Sequence, residues 1–257
     1  MADIDVSKLV MVSMDQITTF NNANELEFVM DEITEGSISN TEEKVDVTGK
    51  AGRKIGSLKR NKAVTVTATN GVIVGGAMAA QTGSEIEHGT FKVRKTEIAT
   101  VKSNKATIEG TPVGTTGAEI GYAYVKNASG TLGKKYEQAA DAETADKFAF
   151  AGKDLTFHTG DIEDGTEIVV FYDEEVTSAK ITNESDVYSK TLKMYIDVTC
   201  QDMCDKVYHG QYIINRADFS GEFEFSFGND PVVHSITAES LAGGCGGKSN
   251  LWEFIVY

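Results

Sequence analysis

Apolar and polar residues alternate without a break from Leu192 to Cys200. The apolar parity consists of Leu192, Met194, Ile196, Val198 and Cys200. A period of two is typical of a β-strand with one face in a core and the other in solvent, and it does not fit the 3.6-residue period of a helix. Because a strand needs neighbours for its backbone N–H and C=O groups, the segment predicts a sheet, with Val207–Asn215 as its partner.

The last forty residues, 218–257, carry a similar pattern. Every second residue is a phenylalanine between Glu222 and Phe227, which predicts another strand. Gly228–Pro231 has the composition of a turn, so we expect the chain to reverse there and return as the strand Val232–Ala238, making a hairpin. The closing segment Leu251–Tyr257 is apolar at both parities, and we expect it either to complete the subunit's own sheet or to pack against a neighbour.

The composition as a whole favours strands over helices. The 257 residues include two prolines against 25 glycines, as expected for many strands that are joined by glycine turns. Further strands are predicted at Leu26–Met30, Glu43–Thr48, Lys62–Thr69 and Phe91–Val93. One short helix is predicted at Gly76–Thr82, closed by Gly83.

The residue pattern of the sequence changes between Glu97 and Asn183, where clusters of turn-forming residues recur at short intervals. Several short strands that are separated by such turns suggest an immunoglobulin-like sandwich inserted into the first domain. The predicted organisation is a discontinuous β domain of residues 1–96 and 184–257, with an inserted β domain of residues 97–183. The strands predicted in the insert are Ile120–Val125, Phe148–Phe150, Leu155–His158 and Ile168–Tyr172.

The charge balance limits the possible partners. A formal net charge of −15 argues against a protein that grips double-stranded nucleic acid, whose phosphates would have to be neutralised by basic side chains. It does not exclude a surface past which DNA slides without sticking. Three cysteines predict reduced thiols rather than a disulfide framework.

The sequence predicts neither a signal peptide nor a membrane span. The amino terminus lacks a basic segment followed by an apolar core. The longest apolar run, residues 71–80, has about half of the ~20 residues that cross a bilayer.

One basic segment stands out against this acidic background. Residues 50–62 contain six basic residues and no acidic one, which indicates an exposed loop or arm. The basic residues are Lys50, Arg53, Lys54, Lys59, Arg60 and Lys62. We interpret the segment either as a solvated loop or as a contact to an acidic surface on a neighbouring copy. That surface would be formed by residues such as Glu25, Glu27, Asp31, Glu32 and Glu35. Opposite patches on one chain permit head-to-tail contacts that build rings or open stacks.

Two segments carry residues that serve binding chemistry in other proteins. Ala242–Ser249 fits a loose phosphate-binding loop, but that loop needs a following helix, and the residues after it indicate a strand. A zinc site would be drawn from Cys200, Cys204, His209 and either Cys245 or His234. The spacing of these residues lacks the paired knuckles of structural zinc sites. The acidic clusters lack calcium-loop spacing and no catalytic motif is recognisable, so no metal, cofactor or catalytic residue is predicted.

Four stretches of the sequence resemble a known protein family in their order and in their residue pattern. They are LEFVMDEITEGSISNTEEKVDVTGKAGRKIGSLKRNKAVTVTATNG, GGAMAAQTG, ADFSGEFEFSFGNDPVVHSITAESLAGG and the closing LWEFIVY. Together they resemble the tail-tube, or major tail, proteins of tailed bacteriophages and prophages. The similarity covers about residues 1–96 and 184–257, and the middle of the chain is similar to the immunoglobulin-like modules that are common on virion proteins.

The resemblance implies a mainly β fold: a tail-tube-like antiparallel β-sandwich or barrel with one short helix, plus a small inserted immunoglobulin-like β-sandwich. It also implies hexameric rings stacked into a tube, arms that join the rings, and an acidic lumen for DNA. The implied partners are further copies of the chain, other tail and tail-completion proteins, and phage DNA that passes without specific binding. The implied location is the virion tail, assembled in the host cytoplasm, with no membrane partner.

We therefore expect a structural protein of the virion that has no catalysis and no cofactor. One alternative is a capsid or head-decoration protein; a shell protein should show a long spine helix, which the sequence does not predict. Another alternative is a carbohydrate-binding or enzymatic β-sandwich. Its weakness is that the only tryptophan, Trp252, falls in a predicted strand rather than in a turn where a sugar could stack.

Overall fold

The structure, a computed structural model, describes residues 8–142, 144–243 and 249–257. Within these ranges the chain forms fifteen β-strands and one α-helix, which confirms the mainly β prediction. In chain order the elements are β1 (Leu9–Phe20), β2 (Leu26–Met30), β3 (Ile33–Thr48), β4 (Lys54–Asn70), α1 (Gly75–Thr82), β5 (Glu87–Thr100), β6 (Lys105–Thr107), β7 (Tyr122–Lys126), β8 (Leu132–Ala139), β9 (Lys147–Ala151), β10 (Asp154–Phe157), β11 (Glu167–Lys180), β12 (Thr191–Asp202), β13 (Val207–Phe219), β14 (His234–Ser240) and β15 (Glu253–Val256).

The chain divides into two compact units. Unit 1 consists of residues 1–87 and 181–257, and unit 2 consists of residues 88–180. The sequence predicts that residues 97–183 form an immunoglobulin-like insert, and this domain assignment remains a prediction.

Unit 1 is built on an antiparallel sheet in the order β2-β1-β12-β13-β14-β4-β3. The alternating segment that opens at Leu192 forms β12, and its apolar parity is buried, as predicted. Its partner is β13, also as predicted, with Ile196 opposite Tyr212. Burying a side chain such as Ile196 contributes about 2–3 kcal/mol, so this pair of strands anchors the core of the unit.

The closing segment of the chain completes the subunit's own sheet, which decides between the two outcomes expected from the sequence. Strand β15 pairs with residues 210–213 of β13, and β14 pairs with residues 217–219 of the same strand. The ring of Phe254 stacks on Tyr212 at 4.4 Å between centroids. Gly210 makes room for this contact, since a Cβ there would lie 2.7 Å from the Phe254 ring.

The predicted helix is confirmed as α1, and Gly83 ends it with a φ of +75°. Small residues bring the helix close to the sheet. A Cβ at Gly76 would lie 2.7 Å from the backbone oxygen of Glu27, so β2 lies directly against the first turn. The helix residues Ala77 and Ala80 are fully buried.

Unit 2 is a seven-stranded sheet in the order β5-β11-β7-β8-β9-β10-β6. Strand β10 pairs antiparallel with β6 and β9, and β7 pairs antiparallel with β8 and β11. The pairing of β8 with β9 is parallel. Its core contains Tyr136 and Phe157, whose rings meet edge to face at 5.0 Å. The four strands predicted in this part of the chain correspond to β7, β9, β10 and β11.

The prediction of a strand at Glu222–Phe227 is wrong. Residues 220–233 form no strand, and β14 pairs with β13 and β4 instead of with the phenylalanine run. Alternation shows that a segment can pair on one face, but pairing also requires a free strand edge within reach. The ladder between β12 and β13 ends at Asp218, and no strand among the described residues pairs with the phenylalanine run.

Candidate assembly surface

A two-stranded hairpin extends beyond the rest of the unit 1 sheet. Strand β14 pairs with β4 only from Thr65 to Asn70, whereas β3 follows β4 out to the pair Thr48–Lys54. No third strand of the described chain lies beside residues 40–62, and we call these residues the arm. All of them are exposed apart from Val45 and Gly49, which are half-buried.

The register sorts the side chains of the arm onto two faces, because residues directly opposite in an antiparallel pair share a face. Val45 lies opposite Leu58 and Val47 lies opposite Gly56, so these positions form an apolar face, which is bounded by the pair Glu43–Arg60. Leu58 on this face is 63% exposed. The other face is charged and carries Glu42, Lys44, Asp46 and Lys59.

Three of the six basic residues are paired within the arm. The salt bridges are Lys54–Asp46 at 2.5 Å, Lys59–Glu42 at 2.9 Å and Arg60–Glu43 at 2.7 Å. The hydrogen bond from Lys59 lowers the pKa of Glu42, and those from Arg60 and Asn61 lower the pKa of Glu43. These pairs are exposed, so they fix the register of the hairpin more than they stabilise the fold.

The tip of the arm presents basic groups that the chain itself does not neutralise. Lys50 begins a short 3₁₀ turn, Lys50–Gly52, in which Ala51 has a φ of +64°. In the described part of the chain, no carboxylate lies within 4.0 Å of the charged groups of Lys50 or Arg53. Ile55, beside the turn, is 65% exposed. The tip is therefore both basic and apolar.

The expectation of an exposed loop or arm needs one correction. From Lys54 onwards the basic segment is a strand rather than a loop, because its backbone pairs with β3, and this pairing brings Glu42, Glu43 and Asp46 to its basic side chains. The sequence reasoning missed these three partners. The signal was present, since the strand predicted at Glu43–Thr48 and the basic run flank one short turn.

Three of the acidic residues expected to receive the arm, Glu25, Glu27 and Asp31, are placed around β2. None of the three forms an ion pair with the arm of its own chain among the described residues. Glu27 is already engaged: Lys190 donates to its carboxylate at 3.0 Å and to Glu85 at 2.5 Å. Glu25 accepts a hydrogen bond from the Asn21 side chain, and Asp31 is exposed. Glu25 and Asp31 are thus the members of this set that could meet a second copy.

The charge of unit 1 is segregated. The arm holds seven basic and three acidic side chains, whereas the rest of the unit holds six basic and twenty-one acidic ones. Opposite potentials on separate parts of one surface steer identical copies into contact.

A comparison with protein families matches residues 9–252 of the chain to the model of the YomU/Tube protein family. The chain belongs to the YomU/Tube protein family. Membership indicates a structural protein of a phage tail tube, for which catalysis is not expected. A comparison with curated proteins found no match.

The zinc candidates that the structure describes do not come together in this tube-family fold. Cys200 lies in the buried parity of β12, whereas His209 lies opposite Thr199 and so on the other face of the sheet. Cys204 is exposed in the turn between β12 and β13. Cys245 lies outside the described residues. No group of three or more His, Cys, Asp or Glu side chains in the described ranges is arranged to hold a metal ion.

The other candidates are equally limited by the fold. Residues 244–248 of the glycine loop lie outside the described residues, and the segment after it forms β15, as predicted, instead of the helix that a phosphate loop requires. None of the helices in the described ranges has the length and apolar character needed to span a membrane.

Proposed function

We propose that copies of this chain assemble into hexameric rings that stack into the tail tube of a phage and form a conduit for its DNA. Arms join neighbouring copies, and other tail and tail-completion proteins close the ends of the tube. Assembly takes place in the host cytoplasm, and the product is part of the virion. Membership of the family supports a role in the tail tube. The hexameric ring, the stacking of rings and the passage of DNA are what we propose in addition.

The arm is the observation that carries the proposal. An isolated two-stranded hairpin is marginal in water, yet this one extends with its apolar face and its basic tip in solvent. A second copy that covers Val45, Val47 and Leu58 would supply the layer that the chain itself lacks. Contacts between an arm and the body of another copy are heterologous, so they close into rings or continue as stacks.

The acidic balance supports the role as a conduit. With twenty-one acidic against six basic side chains outside the arm, the body of unit 1 can line a bore that repels phosphates. Weak binding is an advantage in a channel, because a polyanion held by basic side chains would not slide.

A charge reversal at the tip of the arm tests the proposal. Lys50→Glu with Arg53→Glu should abolish tube formation and leave the monomer folded, since neither residue forms a salt bridge with a described residue of its own chain. Lys54 and Arg60 are less suitable because their reversal would place like charges against Asp46 and Glu43. The matched control is Lys92→Glu with Lys102→Glu, which makes the same change in net charge on exposed residues of unit 2.

Negative-stain microscopy and sedimentation measure assembly, and near-ultraviolet circular dichroism measures the fold of the monomer. Tubes from the control but not from the arm variant support the proposal. Unimpaired tubes from the arm variant would remove the arm from it. A wild-type chain that stays a single particle at every concentration and salt would overturn the tube itself.

The capsid alternative gains no support from the fold. A shell protein was expected to show a long spine helix, and the one α-helix in the described ranges, α1, has eight residues.

A further inference from the structure

The run Glu222–Phe227, which we call the phenylalanine segment, has the sequence of a strand but no strand partner among the residues that the structure describes. Phe223 and Phe225 are half-buried against the ring of His234, at 6.3 and 5.3 Å between centroids. Phe227 is 84% exposed. An apolar alternation that its own subunit leaves unpaired and partly in solvent indicates a partner outside the subunit.

The arm offers the complementary feature, an unpaired edge. Along residues 40–48, β3 is hydrogen-bonded to β4 on one side, and no strand of the described chain lies on the other. Such an edge is a ready template for another strand, and natural proteins normally cover or block it. A peptide that adds here gains backbone hydrogen bonds from the edge and side-chain specificity from its two faces.

The two surfaces match in pattern and in charge. In the matching register, a strand added to β3 would place its phenylalanines on the face of Val45, Val47 and Leu58. Its glutamates would lie on the face of Lys44, where Glu42 and Asp46 are already paired with Lys59 and Lys54. Residues 218–230 contain four acidic and no basic side chains, whereas the arm is net basic. The edge is also long enough, since six residues of strand span about 20 Å and the free edge at residues 40–48 spans about 30 Å.

Geometry prevents a chain from making this contact with itself. The phenylalanine segment leads into His234, which pairs with Asn70 at one end of β4, and the arm begins at residue 62 towards the other end. Eight residues of strand separate the two positions by about 26 Å. The donor and the acceptor therefore lie at opposite ends of unit 1.

A second edge on the same unit is a poorer acceptor. A groove of about 470 Å³ lies between β1 and β3, lined by apolar residues that include Met11, Met14 and Ile38. Its one charged lining residue is Glu35, which has the same sign as the glutamates of the segment. The acidic residues of the β3 edge are each paired with a basic residue of β4, so the charges left unpaired in the arm are basic and charge complementarity favours the arm.

We propose that the phenylalanine segment of one copy adds as a strand to the free β3 edge in the arm of the next copy. The inference rests on the proposed tube and names the counter-surface of the arm. Because donor and acceptor lie at opposite ends of one unit, every copy can receive an arm at one end and extend its own at the other. The contact is head-to-tail and leaves a free donor and a free acceptor after each addition, as a growing stack requires.

Photo-cross-linking in assembled tubes tests the contact. p-Benzoyl-phenylalanine at position 225, in a chain mixed with a ¹⁵N-labelled wild-type chain, should cross-link to labelled peptides 45–50 or 55–59 after trypsin digestion. The reciprocal probe at position 58 should reach the labelled peptide 217–248. Mixed-isotope products show that two copies are joined.

Substitution supplies an independent readout. Phe225→Ser with Phe227→Ser should lower the sedimentable fraction by roughly tenfold or more, as expected when a buried aromatic anchor is lost. The matched control is Leu132→Ser, since Leu132 is 52% exposed on unit 2. Near-ultraviolet circular dichroism of the monomer checks that both variants fold.

The outcomes separate this inference from the proposed function. Tubes whose cross-links fall in the β1–β3 groove, on residues 25–31, or only within one copy would overturn the strand addition and leave the tube standing. Tubes that form equally well from the double serine variant would do the same. Wild-type chains that do not assemble would overturn both.

Discussion

The side chains of His234 and Gln81 are both buried, and Nε2 of the imidazole lies 2.8 Å from Oε1 of the amide. The backbone N–H of Val74 donates to Nδ1 of the same ring. The amide nitrogen of Gln81 donates to the backbone oxygen of Ser235, which fixes its orientation. His234 is therefore neutral with its proton on Nε2, and it ties both ends of α1 to the start of β14.

Stability should depend on the pH through this ring. Burial lowers the pKa of His234 below its ordinary value near 6.5, so the folded state binds the proton less well than the unfolded chain. Its stabilising contribution is complete above about pH 6.5 and is lost as the pH falls towards the folded-state pKa. The urea midpoint should decrease between pH 7.5 and 5.5 in the wild type and decrease less in His234→Gln. His88→Gln, at an exposed position, should retain the wild-type dependence; an identical slope in all three would contradict this role.

Gly83 should not tolerate a side chain. Its φ is +75°, and a Cβ there would lie 1.9 Å from the backbone oxygen of Tyr188. Gly83→Ala should lower the free energy of unfolding by about 2–4 kcal/mol, measured by urea denaturation, because steric overlap adds to the left-handed strain. Gly83→Asn is the matched control, since asparagine tolerates the backbone conformation but keeps the Cβ. Equal losses identify the overlap as the main cause, and a harmless asparagine would refute it.

Lys190 should stabilise unit 1 over the whole neutral range. Burial alone would lower the pKa of Lys190, but hydrogen bonds to Glu85 and Glu27 outweigh it and leave the pKa raised. A raised lysine pKa contributes stability that is complete below about pH 10.5 and is lost only above it. Lys190→Met should cost about 1–2 kcal/mol at pH 7, with no change in that cost up to pH 9, because Glu27 is left half-buried without its cation. Lys193→Met, which loses a contact with the Tyr195 ring, should cost less in the same urea titration.

The two cysteines around the β12–β13 turn should react very differently. Cys200 is fully buried, and burial raises the pKa of its thiol, whereas Cys204 is exposed. Iodoacetamide at pH 8 should alkylate Cys204 roughly tenfold faster or more, since the thiolate is the nucleophile. Tandem mass spectrometry of the tryptic peptide 194–206 separates the two sites, and 6 M guanidinium should equalise them. Equal rates in the native protein would show that β12 is not the buried strand described here.

The sequence was informative wherever local chemistry and burial agree. The alternation at Leu192–Cys200 places one parity in the core because β12 has neighbours on both sides. The helix was predictable from small residues and a terminal glycine that accepts a positive φ. The six basic residues indicated an exposed arm for the same reason, since unpaired charge stays in water.

Pairing was the part that the sequence could not supply. The phenylalanine segment and β12 show the same period of two, yet only β12 is a strand, because a ladder depends on a neighbouring edge that period alone does not reveal. Glu27 and Glu25 look equivalent in the sequence, and only the fold brings Lys190 to one of them from 163 residues away.

The order of residues by itself thus determined the mainly β class, the short helix, the acidic balance and the basic arm, since each follows from the nearest neighbours of a residue and its affinity for water. Only the tertiary structure decided which strands meet, which charges are neutralised and which edges stay open. Those properties depend on contacts between distant segments, and backbone hydrogen bonds are the same for every sequence that can reach them.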